Sequence, residues 1–269
     1  MKTDMLDAET YLKKFDLSHL FFKFIDAQYA DDFIKKGILH FEPFVNFNKM
    51  TDGESGDQNE GSVALFVEKA ILTLAVPGHP EPMLVEDYML EEGFLQYSNE
   101  NLKHFGLTCM FYVHQLSGLE VEPITPENYA EENTEHFEKI AKINENVLNK
   151  FSSFLKSENN KDKVAFLIFP QKLIDRMIQK GYILPRGPVT YYDKKDKDFF
   201  DEAQNGDILK TLFVKTNDYS HQQEYRFVLP EKLPAEGKNI VLGNLEDIVI
   251  RLDFDQIYNL RAFFKDEKS

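Results

Sequence analysis

The hydrophobic positions divide the chain into short elements. In "LSHLFFKFIDAQYADDFIKKGILHFEP" the aromatic run LFFKF predicts a strand. Phe33 and Ile34, one turn beyond Tyr29 and Ala30, predict a helix that Gly37 ends as a helix-stop residue, and ILHF resumes an extended pattern. The polar, glycine-containing stretch "NFNKMTDGESGDQNEGS" has no period and predicts a loop. VALFVEKAILTLAV predicts one or two strands, EDYMLEEGFLQYSNENLKHF a mixed and partly helical region, and GLTCMFYVHQL a buried strand. Thr125 as N-cap and Pro126 as first helical residue open a long helix. Its apolar stripe is Phe137, Ile140, Ile143, Val147, Phe151 and Phe154. KVAFLIFP reads as a strand, QKLIDRMIQKG as a helix closed by Gly181, and KDKDFFDEAQNG as a short helix. The remainder gives strands near ILKTLFVKT, EYRFVL, NIVLG and DIVIRL, with a terminal helix around FDQIYNLRAFF. Successive strands without intervening helices favour a mainly antiparallel sheet over a doubly wound fold. The expectation is one α+β domain over residues 1–269 with a helical insertion at about 125–158.

Composition narrows the class. With 269 residues, 42% of them hydrophobic, 24 Phe and 12 Tyr, the chain has material for a substantial core. Its net charge of -15 argues against indiscriminate coating of nucleic acid. Within it, Lys172, Arg176, Lys180, Arg186, Lys194, Lys195 and Lys197 form a basic run that reads either as an anion site or as a solvated helix and loop. Cys109 is the one cysteine, so no intramolecular disulfide framework exists, and its apolar setting reads as a packing thiol. The start of the chain lacks the apolar core of a signal peptide, and no apolar run reaches the roughly 18 residues of a membrane span. A cytoplasmic protein without membrane contact is expected.

Motifs for several chemistries are missing: no G-x-S-x-G, P-loop, G-x-G-x-x-G or H-E-x-x-H occurs. His40 and His114 fall in apolar strands and read as structural or as catalytic. The acidic loop lacks calcium-loop spacing, so no metal is expected. What remains is "NDYSHQQEYRFVLPE". If it is a strand, Gln222, Glu224 and Arg226 share one face while Tyr225 and Phe227 take the other. A solvent-facing side of a sheet would look the same, and the local pattern leaves both readings open.

The order of LFFKF…DDFIKKGIL, VTYYD and QQEYRF resembles the ADP-ribosyltransferase fold, a split and mainly antiparallel sheet. The "NFNKMTDGESGDQNEG" and "HQQEYRFVL" landmarks, with LGNLEDIVI after them, are similar to a family of bacterial and phage domains of unknown function. The transferase resemblance implies NAD as co-substrate and Glu224 as the catalytic carboxylate, stabilising positive charge that develops on the ribose. It implies that Gln222 orients the acceptor and that Tyr191 or Tyr192 stacks on nicotinamide. Arg226 would hold Glu224 ionised or meet a phosphate, and Lys23 would stand where an Arg or His usually grips the dinucleotide. The implied function is a toxin or phage-defence effector with a nucleic-acid or protein acceptor and a possible antitoxin. The rival is a non-catalytic nucleotide- or protein-binding module. A third reading is an NAD glycohydrolase.

Overall fold

The structure is a computed structural model that describes residues 19–47, 49, 60–67, 70–74, 83–90, 93–98, 100–114, 118–125, 139–156, 162–206 and 208–264. Strand β1 (His19–Asp26) leads into helix α1 (Ala27–Lys36), strand β2 (Ile38–Pro43) and a one-turn helix α2 (Phe44–Phe47). Strands β3 (Ser62–Val67), β4 (Ala70–Leu74), β5 (Met83–Leu90) and β6 (Gly93–Ser98) form two antiparallel pairs, β3 with β6 and β4 with β5. Next come β7 (Gly106–His114), β8 (Leu119–Pro123), β9 (Lys139–Ile143), helix α3 (Glu145–Lys156), β10 (Lys163–Ile168) and helix α4 (Pro170–Gln179). Short strands β11 (Arg186–Pro188) and β12 (Thr190–Tyr192) precede helix α5 (Lys197–Asn205) and β13 (Val214–Thr216). The chain continues through β14 (Glu224–Leu229), β15 (Lys238–Val241), β16 (Val249–Leu252), helix α6 (Phe254–Tyr258) and β17 (Arg261–Phe264).

The architecture is mixed α+β around an antiparallel sheet ordered β11-β14-β7-β1-β10-β16, with β2 and β15 attached through β7. Strand β7 changes partner along its length. His114 to Phe111 pair with His19 to Phe22 of β1, whereas Leu107 and Gly106 pair with Glu42 and Pro43 of β2. Side-chain alternation gives each face its own core. Phe21, Phe166, Met110 and Phe227 pack with Phe33 of α1 and with Leu173 and Met177 of α4. On the reverse face, Phe22, Val113, Ala165 and Leu167 pack with Val147 and Phe151 of α3. No helix among the described residues is long and apolar enough to cross a membrane.

Several local expectations change. The helix expected from Thr125 begins at Glu145, because Asn144 accepts the Val147 amide at 2.9 Å and caps it there. Ile140 and Ile143 fit a helical stripe, but they belong to β9, whose backbone is paired on both edges by β8 and β17. Residues 126–138, with Phe137, lie outside the described residues, as does most of the polar loop. The region expected to be partly helical holds strands β5 and β6. The terminal helix is limited to α6, and Arg261–Phe264 extends as β17 alongside β9.

Gly37 ends α1 in the left-handed conformation, φ 62°, and its amide reaches the Asp32 and Phe33 carbonyls. A Cβ there would lie 2.2 Å from the Gly243 carbonyl oxygen. Gly181 is also left-handed, φ 84°, but a Cβ there meets nothing within 4 Å. Gly181→Ala should therefore cost only the conformational penalty of about 1–2 kcal/mol, and Gly37→Ala more than that. Urea denaturation of both variants checks this; equal losses would mean that the approach of Gly243 imposes no constraint.

Candidate functional site

Strand β14 is short because Gln223, just before it, takes a left-handed conformation, φ 43° and ψ 59°. The strand alternation assumed for Gln222 therefore fails. Gln222 ends a 3-10 turn (Asn217–Gln222), and only Glu224 and Arg226 share the strand face. Gln222 nonetheless reaches the same place by another route: its Oε1 accepts from Lys215 Nζ at 2.5 Å, and Lys215 also donates to Glu224 Oε1 at 2.6 Å.

Around Glu224 four charges are gathered in the interior. Arg226 Nε donates to Glu224 Oε2 at 2.9 Å, and its Nη1 donates to the Leu212 carbonyl at 2.7 Å. Glu60 enters from the turn just before β3, its oxygens 2.6 Å from Arg226 Nη2 and 3.2 Å from Lys215 Nζ. These last two approaches are short but do not have hydrogen-bond geometry, so Glu60 is held by charge attraction. Two carboxylates balance two cations, and the side chains of Glu60, Lys215 and Arg226 are at most 1% exposed; Glu224, at 11%, is the member that reaches the surface. The Arg226 guanidinium also lies 5.9 Å from the centre of the Phe44 ring.

The balance sets the ionisation. Burial works to raise the Glu224 carboxyl, but Lys215 and Arg226 overcome it and hold the group down at about 2. Burial likewise opposes the charge on Lys215 and on Arg226, yet the two carboxylates raise both above their ordinary values. Cys109, on the neighbouring β7 and paired with Arg226, donates its thiol to Glu224 Oε2 at 3.3 Å. Burial, and then Glu224, push that thiol up, so it stays protonated and is no nucleophile. It is a member of the site as well as a packing residue.

Of the tyrosines, Tyr191 belongs to the site and Tyr192 does not. The Glu224 amide donates to Tyr191 Oη at 2.9 Å. Tyr192 is buried, accepts the Ala64 amide at 2.7 Å, and stacks on Phe199 at 4.7 Å. Lys23 is also held apart. It pairs with Phe166 across β10, which puts it on the sheet face of Phe21 and Phe166, while Glu224, Arg226 and Cys109 share the reverse face. Its amine lies where β7 leaves β1, donating to Thr108 Oγ1 at 3.1 Å and to the Cys109 carbonyl at 3.0 Å. Lys23 and Glu224 thus touch opposite sides of one residue, Cys109. The basic run is engaged piecemeal: Arg176 holds Asp247, and Lys194 holds Asp218. His40 is exposed and bonded to Asn239 and Glu42, and His114 packs edge-on to Tyr112.

Sequence reasoning missed Glu60 and Lys215. The available signals were a lysine between Val214 and Thr216 in a strand buried throughout, and the Glu-Gly pair closing the polar loop landmark. Comparison with family models, with curated proteins and with solved structures finds no match for the chain.

Lys23 has no carboxylate partner among the described residues, and burial brings its amine down to about 8. A basic group with a lowered folded value leaves more protons on the unfolded chain between pH 8 and 10.5, so stability rises across that window. Wild type should gain up to about 3 kcal/mol relative to Lys23→Met between pH 8 and 10.5. Stability curves of the two proteins against pH measure it, and parallel curves would refute the buried charge.

Proposed function

We propose that the chain is an ADP-ribosyltransferase that uses NAD as co-substrate and Glu224 as its catalytic carboxylate, with a protein or nucleic-acid acceptor. The observation that supports this is the asymmetry of the charge cluster: Glu224 alone of the four reaches the surface, fixed and ionised, with Gln222 and Tyr191 beside it. A carboxylate offers about four acceptor positions. Lys215, Arg226 and Cys109 occupy three of them among the described residues, which leaves one on Oε1 for a ribose hydroxyl. As the bond to nicotinamide breaks, positive charge on the ribose would be stabilised by a carboxylate that needs no reorganisation. Gln222 would then orient the acceptor. Arg226, wholly committed to Glu224, Glu60 and Leu212, serves the carboxylate and not a phosphate.

One observation favours the rival, a non-catalytic nucleotide- or protein-binding module. Lys23, at the position where the resemblance expects the dinucleotide to be gripped, is turned to the other face and bonded to Thr108 and Cys109.

Incubation with NAD labelled in the adenylate half separates these readings. Label carried to protein, RNA or DNA supports transfer, and free ADP-ribose supports hydrolysis. Absence of both, with folded protein at millimolar NAD, overturns the enzyme reading. Glu224→Gln should lower turnover on the order of 100-fold or more. Because that change also strips a partner from two buried cations, circular dichroism must show that the variant is folded. Glu224→Asp, which keeps the charge but withdraws it, should fall between the two.

A further inference from the structure

We propose that Lys215 is the positioning residue of this site, fixing Gln222 and Glu224 to one another, with Glu60 the counter-charge that keeps its ammonium in the interior. The geometry is specific. Lys215 stands in the middle of the three-residue strand β13, which is buried throughout and paired in parallel with β12, where Tyr191 is its direct partner. Its Nζ lies 2.5 Å from Gln222 Oε1, 2.6 Å from Glu224 Oε1 and 3.2 Å from Glu60 Oε2, and 5.2 Å from the centre of the Tyr219 ring. An ammonium has three N–H groups and no acceptor; here it donates to Gln222 and Glu224, on either side of Gln223, while Glu60 faces it as a counter-charge.

Two consequences follow. Gln222 ends a 3-10 turn and Glu224 begins a strand, with the left-handed Gln223 between them, so the backbone does not hold their side chains in strand register. Lys215 supplies the register that the chain lacks. Without Glu60, one carboxylate would face two buried cations, and the net charge left inside would be costly. Glu60 restores neutrality without entering the hydrogen-bond set of Glu224.

This inference rests on the reading of Glu224 and Gln222 as charge-stabilising and acceptor-orienting groups, and its test does not require turnover. The measurements are the Gln222 side-chain amide signal by nitrogen-15 NMR and the Glu224 carboxyl titration by carbon-13 NMR, assigned with Gln222→Ala and Glu224→Gln. Two variants are compared with wild type. The double variant Lys215→Met with Glu60→Gln removes the ammonium but keeps the cluster neutral. Lys215→Arg keeps the charge, but its planar fork cannot bring a single nitrogen to Gln222 Oε1 and Glu224 Oε1 together. Both should release the Gln222 amide to the position of a free amide. The double variant should raise the Glu224 titration by more than one unit above about 2. Where wild type turns over NAD, both should lower the ratio of transfer to hydrolysis about tenfold, because the acceptor loses its register while the carboxylate remains. A Gln222 signal unmoved in both variants, or a Glu224 titration unmoved in the double variant, overturns the role of Lys215. A wild type that never turns over NAD fails the functional reading, and the NMR result still decides Lys215.

Discussion

Four charges buried together must balance, and much of the local structure serves that constraint. Each of Glu60, Lys215 and Arg226 would be expensive to remove from water alone, and breaking one partnership inside a protein typically costs about 3–5 kcal/mol. Collected as two acids and two bases, they become tolerable. The collection needs the turn before β3, the strand β13 and the face of β14 to meet behind the sheet. Arg226 is fully buried although it is among the largest side chains of the chain, and it finds Glu224, Glu60 and the Leu212 carbonyl there. A hydrophobic residue of similar size would often pack as well or better, so packing alone does not account for the cluster.

That one is Glu224. Its neighbours hold it ionised across the whole neutral range, which suits a group that stabilises developing positive charge and does not suit a proton carrier. The thiol of Cys109 and the hydroxyl of Tyr191 are pushed the other way, toward their protonated forms, by burial and by the same carboxylate. Both therefore act as fixed, neutral hydrogen-bonding groups. The site is organised around charge, and neither Cys109 nor Tyr191 is ionised to serve it as a nucleophile. Lys23, on the opposite face, borders this arrangement through the Cys109 carbonyl and closes the place where β7 exchanges β1 for β2.

How much of this could be read in advance follows the range of the interactions. Helix α1 and its stop at Gly37, helix α4, and the alternation of Tyr225 and Phe227 against Glu224 and Arg226 are local, and local patterns revealed them. Ile140 and Ile143 show the limit: three apart, they would share a helical stripe, but in β9 they take opposite faces and both are buried, so the same spacing serves a helix and a strand covered on both faces. Gln222 shows another, because one left-handed residue, Gln223, cancels the alternation on which the strand face was drawn. Glu60 and Lys215 were invisible for a different reason. Their meaning lies in each other and in Arg226, more than a hundred and fifty positions from Glu60, and nothing short-range marks such a pair. Lys23 was assigned from the order of landmarks, which carries no information about which face a strand residue takes once the register is set.

If Glu224 is the catalytic carboxylate proposed above, its exposed edge receives a ribose hydroxyl. A crystal structure with bound NAD tests it most directly. A ribose hydroxyl is expected within about 2.5–3.0 Å of Glu224 Oε1, with Lys215 and Arg226 still on the carboxylate and Gln222 beside the reacting carbon. NAD seated elsewhere on the molecule, or a Glu224 carboxylate still sealed against it when the dinucleotide is bound, would rule out that role for Glu224.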